Sequence, residues 1–448
     1  QDSPQSGSSQ NGIPDPAELT ATVAKIAEKS QQIVTRFLEH QGQTVSADPF
    51  NIGSAFFEMT AHMMGNPEKV FQAQASLWQG YMDLWQNTVR AMSGEEVEPV
   101  VEPESGDRRF RHEDWEENSV FDFIKQSYLL TSRWFQATVS EVEGMDEKTA
   151  QKVDFYTRHF MDAFSPSNFV LSNPEVLRAT LETKGENLVQ GLDNMIADLD
   201  RGEPGRLDIT MTDHDAFKIG ENIAVTPGKV VFQNELLQLI QYAPTTKKVK
   251  RRPLLILTPW INKFYILDLS PKNSFIKWAL DQGHTLFIVS WVNPDEKLSH
   301  KSFEDYMFEG PLTALDAIEK ATGEREVNAI GYCIGGTLLA ATMAYMAEKK
   351  DTRIKSATFF TTLMDFSDPG ELGVFIDETQ LATLEEKMQS RGYREGREMA
   401  TTFNMLRAND LIWSFVVNNY LLGKDPFPFD LLHWNADSTR MPADMHSF

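Results

Sequence analysis

The sequence predicts an α/β protein: a mostly parallel sheet covered by helices on both faces, preceded by a helical region and carrying a helical cap. Three observations predict it. From Ile209 onward, short continuous apolar segments alternate with segments of helical period, the pattern of βαβ units. Residues 17–208, in contrast, show helical periodicity and no strand-like run. Third, the run Gly331-Tyr332-Cys333-Ile334-Gly335-Gly336 stands directly between an apolar segment and an Ala- and Leu-rich helical one.

In chain order, residues 1–16 are rich in Gln, Ser, Gly and Pro and read as a disordered tail. Residues 17–208 read as a helical N-terminal domain. Asn66-Pro67 marks a helix start, and the following helix carries Trp78, Tyr81 and Trp85 at helical spacing. That stripe is most simply a packing face, in this fold or against a partner, with the core reading favoured. Residues 94–107 (GEEVEPVVEPESGD) are acidic and contain Pro, so they read as a solvated linker. Residues 209–366 form the α/β core. Its strands are expected in KVVFQNELLQLIQYAP, PLLILTPW, TLFIVSW, VNAIGY and IKSATFFTTL. Strand patterns stop after Asp365, and residues 367–448 read as a cap or lid. The core is expected to be incomplete, lacking its last strands.

Composition excludes several classes of function. The 448 residues carry 65 acidic against 42 basic side chains, a net charge of -23, which disfavours nucleic acid as a partner. A single cysteine rules out an intramolecular disulfide and any Cys-rich metal site. No stretch reaches the roughly 18 apolar residues of a membrane span, and the first twenty residues lack the basic and apolar regions of a secretory signal. A cytoplasmic protein is expected.

The chemistry is expected at Cys333. Strand, turn and helix around GYCIGG repeat the context of the G-x-S-x-G nucleophile elbow, with Cys in place of Ser. Gly331 and Gly335 keep side chains out of the close approach of strand and helix. The helix N-terminus is expected to favour the thiolate, lowering a pKa of about 8.5 in free Cys. The Ile334 N–H would be one oxyanion donor, and the second is expected from the loop around Trp260, Ile261 and Asn262. A buried structural cysteine is the alternative. A base is harder to find. His433 and His446 are the only histidines after Cys333, both in the cap, and neither is favoured; Asp365 reads as a turn residue and His284 as a surface or core histidine. The run Lys247, Lys248, Lys250, Arg251, Arg252 offers phosphate contacts, though a solvated loop is favoured.

Several blocks in the right order closely resemble the polyhydroxyalkanoate synthases. They are the elbow GYCIGGT, TPWINKFYILDLSPKNSFIKWALDQGHTLFIVSWVNPD, DRRFRHEDWEENSVFDFIKQSYLLTSRW, NFVLSNPEVLRATLETKGENLVQGL and RANDLIWSFVVNNYLLGKDPFPFDLLHWNAD. The likeness runs from about Asp48 onward and is strongest to the class I type. It implies an α/β-hydrolase-type domain and an acyltransferase that polymerises (R)-3-hydroxyacyl-CoA with release of CoA. By resemblance Cys333 holds the growing polyester as a thioester, with CoA thioester as substrate and no resident cofactor or metal. The family's catalytic Asp and His are expected beyond Phe448, so the chain alone is expected to be nearly inactive. A homodimer at the surface of cytoplasmic polyester granules is the expected setting. Alternative functions are a cysteine thioesterase or depolymerase of the same fold, and a non-catalytic granule-binding protein.

Overall fold

The structure, a computed structural model, describes residues 16–40, 52–202 and 207–447. The expected tail of residues 1–16 lies outside them up to residue 15, and Pro16 opens the first helix. Two compact units form: Gln1–Thr210 with Ala408–Pro426, and Met211–Arg407 with Phe427–Phe448.

The first unit is built from α1 (Pro16–His40), α2 (Ile52–Gly65), α3 (Pro67–Met92), α4 (Asp114–Glu117), α5 (Ser119–Ser140), α6 (Glu147–Ala163), α7 (Pro174–Glu182) and α8 (Glu186–Arg201). No strand occurs among its described residues. Local chemistry sets the helix starts. Asn66 accepts a hydrogen bond from the Lys69 N–H at 3.4 Å with Pro67 at the first helical position, and Asn173 caps α7 ahead of Pro174 in the same way. α3 lies against α5 through Leu84, which is fully buried, and through Gly80, where a Cβ would stand 2.8 Å from Leu130. Tyr81 turns inward and its hydroxyl meets Thr131 Oγ1 at 2.7 Å. Trp78 and Trp85, in contrast, are exposed on the other side, so the expected core stripe is split. The linker of residues 94–107 is not wholly solvated either. The Gln126 side chain accepts the N–H groups of Val100 and Val101, and Val101 is buried with Phe110, Trp115 and Leu129.

The segment Ala408–Pro426, grouped by sequence with the cap of residues 367–448, packs with this helical unit. The Tyr420 hydroxyl donates to Asp198 at 2.6 Å, and the Asn419 amide donates to the Thr210 carbonyl at 2.7 Å. Gly191 makes the approach of α8 possible, because a Cβ there would lie 1.8 Å from the Tyr420 carbonyl oxygen.

The second unit holds a six-stranded sheet of β1 (Gly228–Gln233), β2 (Leu237–Tyr242), β3 (Leu254–Leu257), β4 (Leu286–Trp291), β5 (Val327–Tyr332) and β6 (Ile354–Phe360). Its order is β1-β2-β4-β3-β5-β6; β1 and β2 run antiparallel, and β4, β3, β5 and β6 are parallel. The continuous apolar runs have the expected cause. Leu255, Leu257, Phe287 and Val289 enter one buried cluster, while Leu254, Ile256, Leu286 and Ile288 enter another on alternate positions. Helices α9 (Phe275–Asp281), α10 (Phe303–Met307), α11 (Thr313–Thr322) and α12 (Ile334–Glu348) connect the strands, and α13 (Glu378–Arg391), α14 (Gly396–Met405), α15 (Asp430–Ala436) and α16 (Ala443–Ser447) follow. Strands do not wholly stop after Asp365: β7 (Tyr393–Arg394) pairs antiparallel with β8 (Met441–Pro442). Two residues are too few to show a period of two. No helix among the described residues is long and apolar enough to cross a membrane.

Candidate active site

β5 ends at Tyr332 and α12 starts at Ile334, leaving Cys333 alone in the bend. Its backbone stands at φ +52° and ψ −128°, a positive φ that a side chain disfavours by about 1–3 kcal/mol. The turn is held from both sides. The Cys333 N–H donates to the Phe360 carbonyl of β6 at 2.8 Å, and the Cys333 carbonyl accepts the Gly336 N–H at 2.8 Å.

Three glycines make room for this bend, none of them by a positive φ. A Cβ on Gly331 would sit 2.4 Å from the Gly336 Cα. One on Gly335 would stand 2.5 Å from the Leu257 carbonyl oxygen, and one on Gly336 would be 2.1 Å from Thr362 Oγ1. Backbone lines these spaces at Gly331 and Gly335, so the residues expected to be small have to be small. The role of Gly336 comes from Thr362, in the turn after β6. The neighbouring Thr361 also takes a positive φ, +46°, and the Thr337 hydroxyl donates to the Leu363 carbonyl at 2.8 Å. This brace left no mark in the sequence, since Thr-Thr after an apolar strand is ordinary.

Cys333 is half-buried. Burial raises its thiol above the ordinary pKa, and the hydrogen bond from the Ile334 N–H works in the opposite direction. The expected lowering by the helix N-terminus is therefore overturned: removal of water from the sulfur outweighs one N–H donor. That donor is nonetheless where an oxyanion contact is needed, on the residue after the sulfur.

The loop after β3 is held by hydrogen bonds. Thr258 Oγ1 donates to the Val289 carbonyl at 2.8 Å, and Trp291 Nε1 donates to the Thr258 carbonyl at 2.8 Å. Trp260 and Ile261 are buried, and their carbonyls accept from Thr439. Trp260 Nε1 meets Met441 Sδ at 3.1 Å, and Asn262 bridges to Ser438. The carbonyls of this loop thus face residues 438–441, a pairing that no local pattern announces.

The remaining candidates stand elsewhere. His433 packs with Phe217 and His214, ring centroids 5.0 and 6.3 Å away, with its Nδ1 buried and unpartnered; burial lowers its pKa against the pull of Asp437. His446 Nε2 lies 2.8 Å from the Arg394 guanidinium, and burial followed by that cation pushes it down to about 4. His284 Nε2 contacts Lys250 Nζ at 2.9 Å; burial and that ammonium lower it. Asp365 is exposed and accepts the Ser367 N–H at 3.0 Å, which holds its carboxyl below the usual range. In the basic run, Arg251 pairs with Glu324 and Arg252 with Glu326. Among the described residues no three His, Cys, Asp or Glu side chains are grouped to hold a metal ion.

Comparison with known proteins adds the lineage. The family model for the N-terminus of poly-beta-hydroxybutyrate polymerase matches residues 106–279, and the alpha/beta hydrolase fold model matches residues 264–447. The chain is 57% identical over 383 residues to a poly(3-hydroxyalkanoate) polymerase of Methylorubrum extorquens, covering 86% of this chain and 63% of that protein. It is 48% identical over 441 residues to a poly(3-hydroxyalkanoate) polymerase subunit of Rhizobium meliloti, covering 97% and 72%. A Cupriavidus necator subunit of the same name is 42% identical over 342 residues, covering 75% and 57%. The chain therefore spans between about half and three-quarters of the length of these relatives.

Proposed function

The chain belongs to the poly(3-hydroxyalkanoate) polymerase family, and on that premise we propose that it carries the nucleophile of an acyltransferase that builds polyester from (R)-3-hydroxyacyl-CoA. The observation that carries this reading is the placement of the chain's only cysteine at a strained strand-to-helix bend, half-exposed, with the Ile334 N–H at its sulfur.

In this mechanism the Cys333 thiolate attacks the thioester carbonyl of the acyl-CoA. The carbonyl oxygen takes the negative charge and is held by the Ile334 N–H, with the Ile261 N–H as the proposed second donor. Collapse breaks the bond to CoA, which leaves as the thiol with the proton Cys333 gave up. A 3-hydroxyl oxygen then attacks the Cys333 thioester; the ester bond forms, the carbon–sulfur bond breaks, and the proton returns to the sulfur. A thiolate suits this exchange because substrate and intermediate are both thioesters of similar energy. CoA is a substrate here and no resident cofactor takes part. Assembly as a homodimer at the granule surface belongs to the same proposal.

Neither His433 nor His446 is proposed as the base. One packs at a tilt against Phe217 and His214, and the other faces a guanidinium that disfavours its protonated form.

The test is CoA release and product analysis with 3-hydroxybutyryl-CoA, in the polymerase as it occurs and in its Cys333→Ala variant. Polymer and CoA are expected from the first and neither from the second. CoA release at the unaltered rate in Cys333→Ala would refute the assignment. Soluble hydroxy acid as the sole product would make the enzyme a thioesterase.

A further inference from the structure

Cys333 is not the only strained residue at this end of the sheet. Thr361, which follows β6 directly, stands at φ +46°. For a β-branched residue a positive φ is a genuine outlier, and such strain persists only where the surroundings over-determine it. The two bends lie side by side. β5 and β6 run parallel with Tyr332 opposite Phe360, so each bend begins one residue past that pair. Thr361 is exposed, and no burial of its side chain offsets the strain. A turn needed only to connect elements could carry Gly or Asn there at little cost.

What the bend at Thr361 achieves is the placement of Thr362. The Thr362 hydroxyl donates to the Phe360 carbonyl at 3.1 Å and lies 3.4 Å from the Gly331 carbonyl oxygen. The Phe360 carbonyl is also the acceptor of the Cys333 N–H, at 2.8 Å. One carbonyl therefore ties both bends, and the hydroxyl fixes the direction in which it meets Cys333. On the helix side, Thr362 fills the space that Gly336 leaves, since a Cβ on Gly336 would come within 2.1 Å of its Oγ1 and 2.7 Å of its Cγ2. One residue on, the Leu363 carbonyl accepts the Thr337 hydroxyl at 2.8 Å. The strand before Cys333 and the helix after it are thus both held by residues 362 and 363.

We propose that Thr362 is a positioning residue for the nucleophile: its hydroxyl, on the Phe360 carbonyl, holds the Cys333 backbone in the bend that keeps the sulfur clear of the strand and beside the Ile334 N–H. This rests on the reading of Cys333 as the nucleophile, and it gives Thr362 no contact with substrate.

The test compares Thr362→Ala, which removes hydroxyl and methyl, with Thr362→Ser, which returns the hydroxyl alone, in the polymerase as it occurs. With 3-hydroxybutyryl-CoA, kcat in Thr362→Ala is expected to fall on the order of 5–10-fold, the worth of one hydrogen bond, while KM changes by less than about twofold. Thr362→Ser should recover most of that loss. Alkylation of Cys333 by iodoacetamide, read by mass spectrometry of its peptide, should slow in the alanine variant and recover in the serine one. Its pH midpoint should also rise in Thr362→Ala, because the Ile334 N–H no longer supports the thiolate. A turn that served stability alone would lower the urea midpoint and leave kcat and the alkylation profile unmoved, which would overturn the proposal. So would a serine variant no better than alanine, or a raised KM with kcat unchanged, which would put Thr362 against the substrate. If Thr362→Ala does not fold, Thr362→Val, which keeps the volume without the hydroxyl, takes its place. The labelling arm needs no polymer: full CoA release by Cys333→Ala would remove the acyltransferase reading, and alkylation would still decide whether Thr362 positions Cys333.

Discussion

At Cys333 two demands on one side chain pull against each other. A nucleophile must stand clear of its strand, and the bend at φ +52° provides this; a reactive thiol must also lose its proton, and half-burial opposes that. The helix N-terminus contributes one N–H at the sulfur, which is less than the cost of desolvation. Alkylation of Cys333 by iodoacetamide, followed by mass spectrometry across pH, should therefore show a midpoint above the value of about 8.5 for a free thiol. A midpoint below 8 would mean that the helix outweighs burial. The bend itself depends on absent side chains. Gly335→Ala forces a methyl to 2.5 Å from the Leu257 carbonyl oxygen, and backbone on both sides of that contact leaves little room to relax. A destabilisation of at least about 2 kcal/mol is expected in urea unfolding, together with loss of Cys333 reactivity.

Among the elements, β5 is an example of what periodicity can reveal. VNAIGY is a continuous apolar run because neighbouring strands and both faces of the sheet bury it, and its bounds, Val327–Tyr332, fall where the run begins and ends. Asn66-Pro67 is equally readable, since capping acts over three residues. The outward turn of Trp78 and Trp85 is not readable, because a helix can be apolar on two sides and spacing does not say which side is covered. Nor is β7–β8, whose partners lie far apart in sequence and which closes around Arg394 and His446. This element carries its own prediction. His446 is pushed from 6.5 to about 4 by burial and then by Arg394, while Glu398 faces the same guanidinium. A histidine depressed in the folded state is protonated first in the unfolded chain, so its contribution is complete above pH 6.5 and is lost as pH falls toward 4. The loss amounts to about 3 kcal/mol. Urea unfolding at pH 7 and pH 4.5 should show it, and His446→Gln, which keeps an acceptor for Arg394 without a titrating proton, should flatten the slope.

Across the whole molecule, order along the chain and membership of a unit part company. Ala408–Pro426 leaves the second unit and completes the first, about two hundred positions after α8, the helix it packs on. Contacts at the junction include Tyr420 with Asp198, Asn419 with Thr210, the Asn187 side-chain amide with the Leu421 carbonyl at 2.8 Å, and the Asn194 side-chain amide with the Asn419 carbonyl at 3.0 Å. Asp198 is buried, and it also accepts from the Thr210 hydroxyl and Arg201. A buried carboxylate left with fewer donors is costly, so the segment supports the helical unit as much as the unit supports it. Gly191 is the residue on which the junction turns. In an isolated helix Gly191→Ala would stabilise by about 1 kcal/mol through propensity alone. Here the added methyl would meet the Tyr420 carbonyl oxygen at 1.8 Å, and the segment must lift. The clash is expected to dominate, with a net loss of at least about 2 kcal/mol. Hydrogen exchange of the full chain should then show faster exchange across 408–426 and at Thr210, while β3, β4 and β5 keep their protection. A stabilised Gly191→Ala variant with 408–426 still protected would mean that α8 and the returning segment are not in contact.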